Sequence, residues 1–134
     1  MKNKQLRVLA IDPCTDVLDS IEFSLEATTQ WQLLLNSSAQ EGLIQAQREL
    51  PDIILLNFQM PQLSGIEMAI KLRSHPKTDR IPLLLLTSLP HIISSQMFQE
   101  LGITGVIRKP VNWFYLADLI VLSLGYGKKE SYSC

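Results

Sequence analysis

Four short runs of apolar residues, at 6–11, 53–56, 82–86 and 103–107, constrain the chain more than any other feature. Each is nearly continuous rather than alternating. A strand with one wet face alternates, whereas a strand covered on both faces reads as an unbroken hydrophobic run. The runs therefore predict a sheet buried between two layers of other structure. A fifth, weaker run at 31–35 completes the set.

The intervals between the runs carry helical spacing. Val17, Ile21 and Leu25 recur at i, i+4 and i+8, with Leu18 and Phe23 widening the stripe. Leu43, Ala46, Gln47 and Leu50 predict a second helix, and Ile66, Ala69, Ile70 and Arg73 a third. Phe98 and Leu101 close a fourth, and residues 111–124 form the fifth. The punctuation agrees: Ser64 or Gly65 starts the third helix, Gly102 ends the fourth and Pro110 precedes the fifth. Strand and helix thus alternate five times, which implies a parallel sheet with right-handed crossovers.

At 134 residues the chain is one domain with room for a real core. The domain is expected to span residues 1–124, followed by a short polar tail at 125–134. Twelve Lys and Arg against thirteen Asp and Glu give a net charge of −1. That excludes nucleic-acid binding through bulk charge. Two cysteines, Cys14 and Cys134, are too few for a disulfide framework or a structural zinc site, and fit reduced thiols in a cytoplasmic protein. Residues 81–99 carry no charge, but Pro82, Pro90, Ser94, Ser95 and Gln96 interrupt them, so no membrane span is expected.

In open α/β sheets, ligands bind beyond the carboxyl ends of the strands. Here those ends bring an acid, an amide, a hydroxyl and an ammonium together: Asp12, Asn57, Thr87 and Lys109.

These positions, with Val-Leu-Ala-Ile-Asp at 8–12, Pro-Asp-Ile-Ile-Leu-Leu-Asn at 51–57, Met-Pro-Gln-Leu-Ser-Gly-Ile-Glu at 60–67, Ile-Pro-Leu-Leu-Leu-Leu-Thr-Ser at 81–88 and Arg-Lys-Pro at 108–110, resemble the response-regulator receiver (CheY-like) domain of two-component signalling. The resemblance covers residues 6–124. It implies a doubly wound, flavodoxin-like α/β fold: a five-stranded parallel sheet in the order 2-1-3-4-5 flanked by five helices. It also implies a cis peptide bond before Pro110.

In that family an aspartate takes a phosphoryl group while Mg²⁺, held by that aspartate, an acidic pair and a backbone carbonyl, neutralises the charge. The resemblance places the nucleophile at Asn57, the acidic pair at Asp12 and Pro13, and the carbonyl at Gln59. Thr87 and Lys109 match the hydroxyl and the lysine. Two of three carboxylates are therefore missing. An amide oxygen is a poor nucleophile, and Mg²⁺ favours carboxylate oxygen. No phosphorylation at Asn57 and weak or absent Mg²⁺ binding are expected, which makes this a degenerate receiver. The aromatic switch residue of the family falls at Val106, which has no ring to swing.

Blander roles fit the same residues. Asp12 and Lys109 suit a structural ion pair, and Thr87 suits a strand-end cap. Cys14 is read as inert, and His75 and His91 lack partners at ligand spacing. No nucleophile–base pair suggests an enzyme.

The last third of the chain is poor in charge: residues 81–127 hold only Glu100, Arg108, Lys109 and Asp118. With Trp113, Leu116, Ile120 and Leu124 facing the sheet, Phe114, Tyr115, Leu119 and Leu122 fall outside the stripe. Ile92, Ile93 and Met97 add to them. An apolar surface of that size marks an interface, here a homodimer through helix 4, strand 5 and helix 5. No output domain follows residue 124, so any effect is expected to pass through a protein partner. Two alternatives stand beside this reading. One is a conventional phosphoacceptor receiver carrying an Asp-to-Asn substitution at residue 57. The other is a small-ligand sensor using the vacated pocket.

Overall fold

The computed structural model describes residues 5–60 and 63–125. Five parallel strands form one sheet: β1 Arg7–Ile11, β2 Gln32–Asn36, β3 Ile53–Asn57, β4 Leu83–Thr87 and β5 Gly105–Arg108. Their order is β2-β1-β3-β4-β5. Five helices alternate with them: α1 Thr15–Thr28, α2 Ala39–Glu49, α3 Gly65–Arg73, α4 Ser95–Glu100 and α5 Leu116–Ser123. Two short 3₁₀ turns, Pro90–Ile92 and Trp113–Tyr115, lead into α4 and α5. The fold and strand order read from the sequence are therefore observed.

The continuous runs have the predicted cause. Every residue of β3 and β4 is buried. Along each strand, alternate residues serve opposite layers, as the two-residue period of a strand requires. Val8, Ala10, Ile53, Leu55, Leu84 and Leu86 pack under α1 and α5, with Leu18, Ile21, Leu25, Leu116 and Ile120. Leu9, Ile11, Ile54, Leu56, Leu83 and Leu85 pack on the other face, with Met68, Ala69 and Leu72 of α3.

Several helices turn a different face inward from the one the sequence suggests. Phe23, placed on the α1 stripe, is 78% exposed, because Leu18, Ile21 and Leu25 fill the space over the sheet. In α3, Met68 and Leu72 are buried, while Ile70 is 48% exposed. Leu50 is no core residue either: it caps α2 in the left-handed region, φ 50°, and stands exposed. The fifth helix starts at Leu116 rather than at residue 111. The Lys109–Pro110 bond is cis, as expected, and Asn112 Oδ1 accepts from Phe114 N, which closes a 3₁₀ turn before the helix begins. Residues 126–134 of the expected tail lie outside the described residues.

Helix boundaries follow their caps. Ser64 and Glu67 form a capping box at the start of α3, each side chain accepting from the other's backbone N–H. Ser38 and Ser94 cap α2 and α4. The α4–β5 turn passes through Gly102 at φ +59°, a conformation that a side chain disfavours. Arg73, half-buried at the end of α3, reaches this turn. Its guanidinium donates to the carbonyls of Leu101 (2.7 Å), Gly102 (3.0 Å) and Thr78 (3.3 Å). Burial pushes this guanidinium below its usual pKa, against the opposing charge of Asp79.

Candidate functional site

Parallel strands in register deliver their last residues to one edge. β1 ends at Ile11, so Asp12 emerges first, and Asn57 and Thr87 are the last residues of β3 and β4. Lys109 follows β5 and is tied to β4 by its N–H, which donates to the Thr87 carbonyl at 2.8 Å. Asp12, Asn57 and Thr87 are all buried, at 2%, 8% and 0% exposure. The sequence reading thus places its central residues at one end of the sheet.

Asp12 divides its work between two oxygens. Oδ1 accepts the Cys14 N–H at 2.9 Å and shapes the entry to α1. Oδ2 is buried and has no hydrogen-bond partner among the described residues. The nearest cation is Lys109 Nζ, 3.9 Å from Oδ2, an ion pair without a direct hydrogen bond. Asn57 Oδ1 accepts the Gln59 N–H at 3.1 Å, and Thr87 Oγ1 accepts the Leu89 N–H at 3.0 Å. Each polar side chain at a strand end therefore shapes the loop that follows it, as Asx and Ser/Thr turns do.

The loop beyond β3 is held closely. Phe58 N–H donates to Leu86 O at 2.9 Å, and Gly65 N–H donates to Phe58 O at 2.7 Å. A Cβ on Gly65 would lie 2.7 Å from Phe58 Cα and 2.9 Å from its carbonyl oxygen. Only glycine admits this approach, so the Ser-Gly pair both starts α3 and seats the site loop.

A divalent cation does not fit these donors. Asp12 is the single carboxylate of the set, Pro13 offers no side-chain oxygen, and Asn57 Oδ1 is already an acceptor for backbone. Lys109 places a positive charge beside the one free carboxylate oxygen. No group of three His, Cys, Asp or Glu side chains with metal-site geometry occurs among the described residues. Mg²⁺ is held by carboxylates and substrate phosphates, and neither multiplicity nor charge is available here.

The remaining expected residues are dispersed. Val106 lies in β5 and leans against the α3 side of the core. Cys14 is exposed at the start of α1. His75 Nδ1 accepts the Lys77 N–H within its own turn. Of the seven surface residues named from sequence, Ile92, Phe114 and Tyr115 are exposed. Met97 and Leu122 are half-buried, while Ile93 and Leu119 pack against the two halves of the core. The clamp formed by Arg73 went unread, since an arginine on a helical stripe gives no sign that loop carbonyls converge on it.

Similarity to known proteins decides the family. The model of the response regulator receiver domain matches residues 8–120. The chain belongs to that family. CheY4 of Vibrio cholerae has the same fold, with a TM-score of 0.80 at 23% identity, over 90% of this chain and 99% of that one. The response regulator PleD of Caulobacter vibrioides is 35% identical over 102 residues, which are 72% of this chain and 22% of PleD. An uncharacterised 14.6 kDa protein of Leptolyngbya boryana is 28% identical over 87% of this receiver and 88% of its own length. The receiver thus spans nearly all of one relative and about a fifth of another. No helix among its described residues is long and apolar enough to cross a membrane.

Proposed function

We propose that this receiver takes no phosphoryl group at residue 57 and acts in signalling through contacts with other proteins. The observation that carries the reading is the state of Asp12. It is the one carboxylate left in the site, buried and facing Lys109 at 3.9 Å, with Pro13 and Asn57 standing where the family's chemistry calls for further carboxylates to hold a metal. Asn57 supports the same reading. Its amide oxygen holds the Gln59 N–H, a structural task that needs no nucleophile. Val106 supplies no aromatic ring to couple the site to the surface.

The homodimer expected through helix 4, strand 5 and helix 5 loses part of its surface, since Ile93 and Leu119 are engaged by the core. Contact with a different protein is the form of the reading retained here. Incubation with acetyl phosphate and Mg²⁺, followed by intact-mass measurement, tests the chemistry. No mass gain is expected; one phosphoryl group on residue 57 would defeat the reading.

A second reading has an observation of its own. The unpartnered, buried Asp12 Oδ2 suits a small ligand that donates a hydrogen bond at the strand ends. A thermal-shift screen with small metabolites and anions tests it; stabilisation that Asp12→Asn abolishes would support it.

A further inference from the structure

The two edges of the sheet are built differently. β5 is four residues long, ends in the exposed Arg108 with Lys109 next to it, and has the turn Pro90–Ile92 packed against it. β2, at the opposite edge, is five residues long and reads Gln-Leu-Leu-Leu-Asn. Residues 27–40, which carry this strand and both its flanks, include no charged residue and no proline. Charge and proline are the usual guards that keep an open edge from pairing with another strand, and this edge has neither.

The backbone of β2 is free in a defined pattern. Gln32 N–H donates to Leu6 O at 2.9 Å, and Asn36 O accepts from Asp12 N–H at 3.1 Å. Successive residues of a strand alternate, so Gln32, Leu34 and Asn36 turn their N–H and C=O toward β1. Leu33 and Leu35 turn theirs away from the sheet, and no group among the described residues meets them there. The Trp31 N–H is already taken, donating to Thr29 Oγ1 at 3.2 Å. The side chains are incompletely covered as well. Leu33 and Leu35 are half-buried against the α1 side of the core, and Leu34 against the α3 side.

We infer that β2 pairs antiparallel with β2 of a second copy of this chain, about a twofold axis at Leu34, joining two sheets into one. In that register Leu33 of each copy faces Leu35 of the other as a hydrogen-bonded pair, and every backbone group used is one the fold leaves free. An axis at Leu33 would call on the Trp31 N–H instead. Leu33 and Leu35 meet on the α1 side, and Leu34 meets its own counterpart on the α3 side, so both halves of the core continue across the junction. Gln32 falls opposite Asn36, so no like charges meet. The contact is self-complementary, as a twofold requires. It goes beyond the proposed function, and it lies at the far end of the sheet from β5, which stays free for a different protein.

Light scattering of the full chain over a concentration series should reach twice the 15.2 kDa chain mass. Hydrogen exchange should find the Leu33 and Leu35 amides protected in the dimer and at least tenfold faster on dilution, while the Leu34 amide, bonded to β1, changes little. Cysteine reads the register. In a Cys14→Ser, Cys134→Ser background, Leu34→Cys should link two copies on mild oxidation, because Cα atoms of a facing non-hydrogen-bonded pair lie about 4.5 Å apart. Gln32→Cys should not. Leu34→Lys sets two ammonium groups on the axis and should weaken association at least tenfold. Leu35→Pro removes an outward N–H that the monomer's own sheet does not use, and should do the same. Circular dichroism checks that both variants fold. A monomer at every concentration, equal linking through Gln32→Cys, or a dimer indifferent to Leu34→Lys and Leu35→Pro would overturn the inference. So would an extended apolar peptide of another sequence docking on β2 while the chain itself stays monomeric. Phosphorylation of residue 57 would defeat the proposed function while leaving this edge unchanged, so the two failures are separable.

Discussion

Two regions of the molecule treat acidic residues in opposite ways. At the carboxyl end of the sheet, Asp12 alone remains, neutralised by Lys109, where the family's chemistry needs several carboxylates. In α1 and Trp113–Ser123, five acids form no ion pair among the described residues. In the pocket the one acid faces a lysine and keeps one oxygen without a hydrogen bond among the described residues, while the face carries acids beside exposed rings. Charge in a buried site must be matched or neutralised, whereas charge on a surface remains hydrated and costs little. The contrast therefore separates a buried acid matched by a lysine from acids that stand in water.

The strongest way to break the contrast is to return acids to the pocket. Pro13→Asp with Asn57→Asp should convert a chain inert to acetyl phosphate into one that gains a phosphoryl group in the presence of Mg²⁺, read by intact mass. Asn57→Asp alone should gain far less. Equal labelling of the single and double variants would favour the conventional receiver with a blocking substitution.

Removing the cation comes next. Lys109→Met leaves Asp12 buried and uncompensated, and should cost about 1–3 kcal/mol, less than a fully buried pair because the lysine is partly exposed. Asp12→Asn combined with Lys109→Met should restore most of that loss. Urea denaturation of the two single variants, Asp12→Asn and Lys109→Met, and of the double variant measures it; additive losses would mean the pair is not coupled. Gly65→Ala forces a Cβ against Phe58 and should cost about 1–3 kcal/mol in the same assay.

The smallest effect belongs to the face. Phe23→Ser should change stability by no more than about 0.5 kcal/mol, since its ring is mostly in water. A loss of several kcal/mol would show that the ring is structural.

What the sequence made legible, and what it hid, follows the same division. The sheet was readable because β3 and β4 are buried on both faces, which leaves an unbroken Ile/Leu run. The strand-end residues were readable because their positions are fixed by where those runs stop. Helix faces were harder. In α1, both Phe23 and Leu18 extend the apolar pattern, and only packing decides that Leu18 goes in and Phe23 stays out. The start of α5 was hidden because an apolar count cannot see Asn112 closing a 3₁₀ turn. Of the residues named near the last helix, Phe114 and Tyr115 stand exposed, while Leu119 is partly buried against the core.

The hydrogen bond from Gln59 N–H to Asn57 Oδ1 carries one more consequence. An amide and a carboxylate are near in shape and share the acceptor that this turn uses. Exchanging one for the other leaves the backbone's instructions intact while erasing the reactivity. Asn57→Asp is therefore expected to keep the turn after β3 and the fold around it intact.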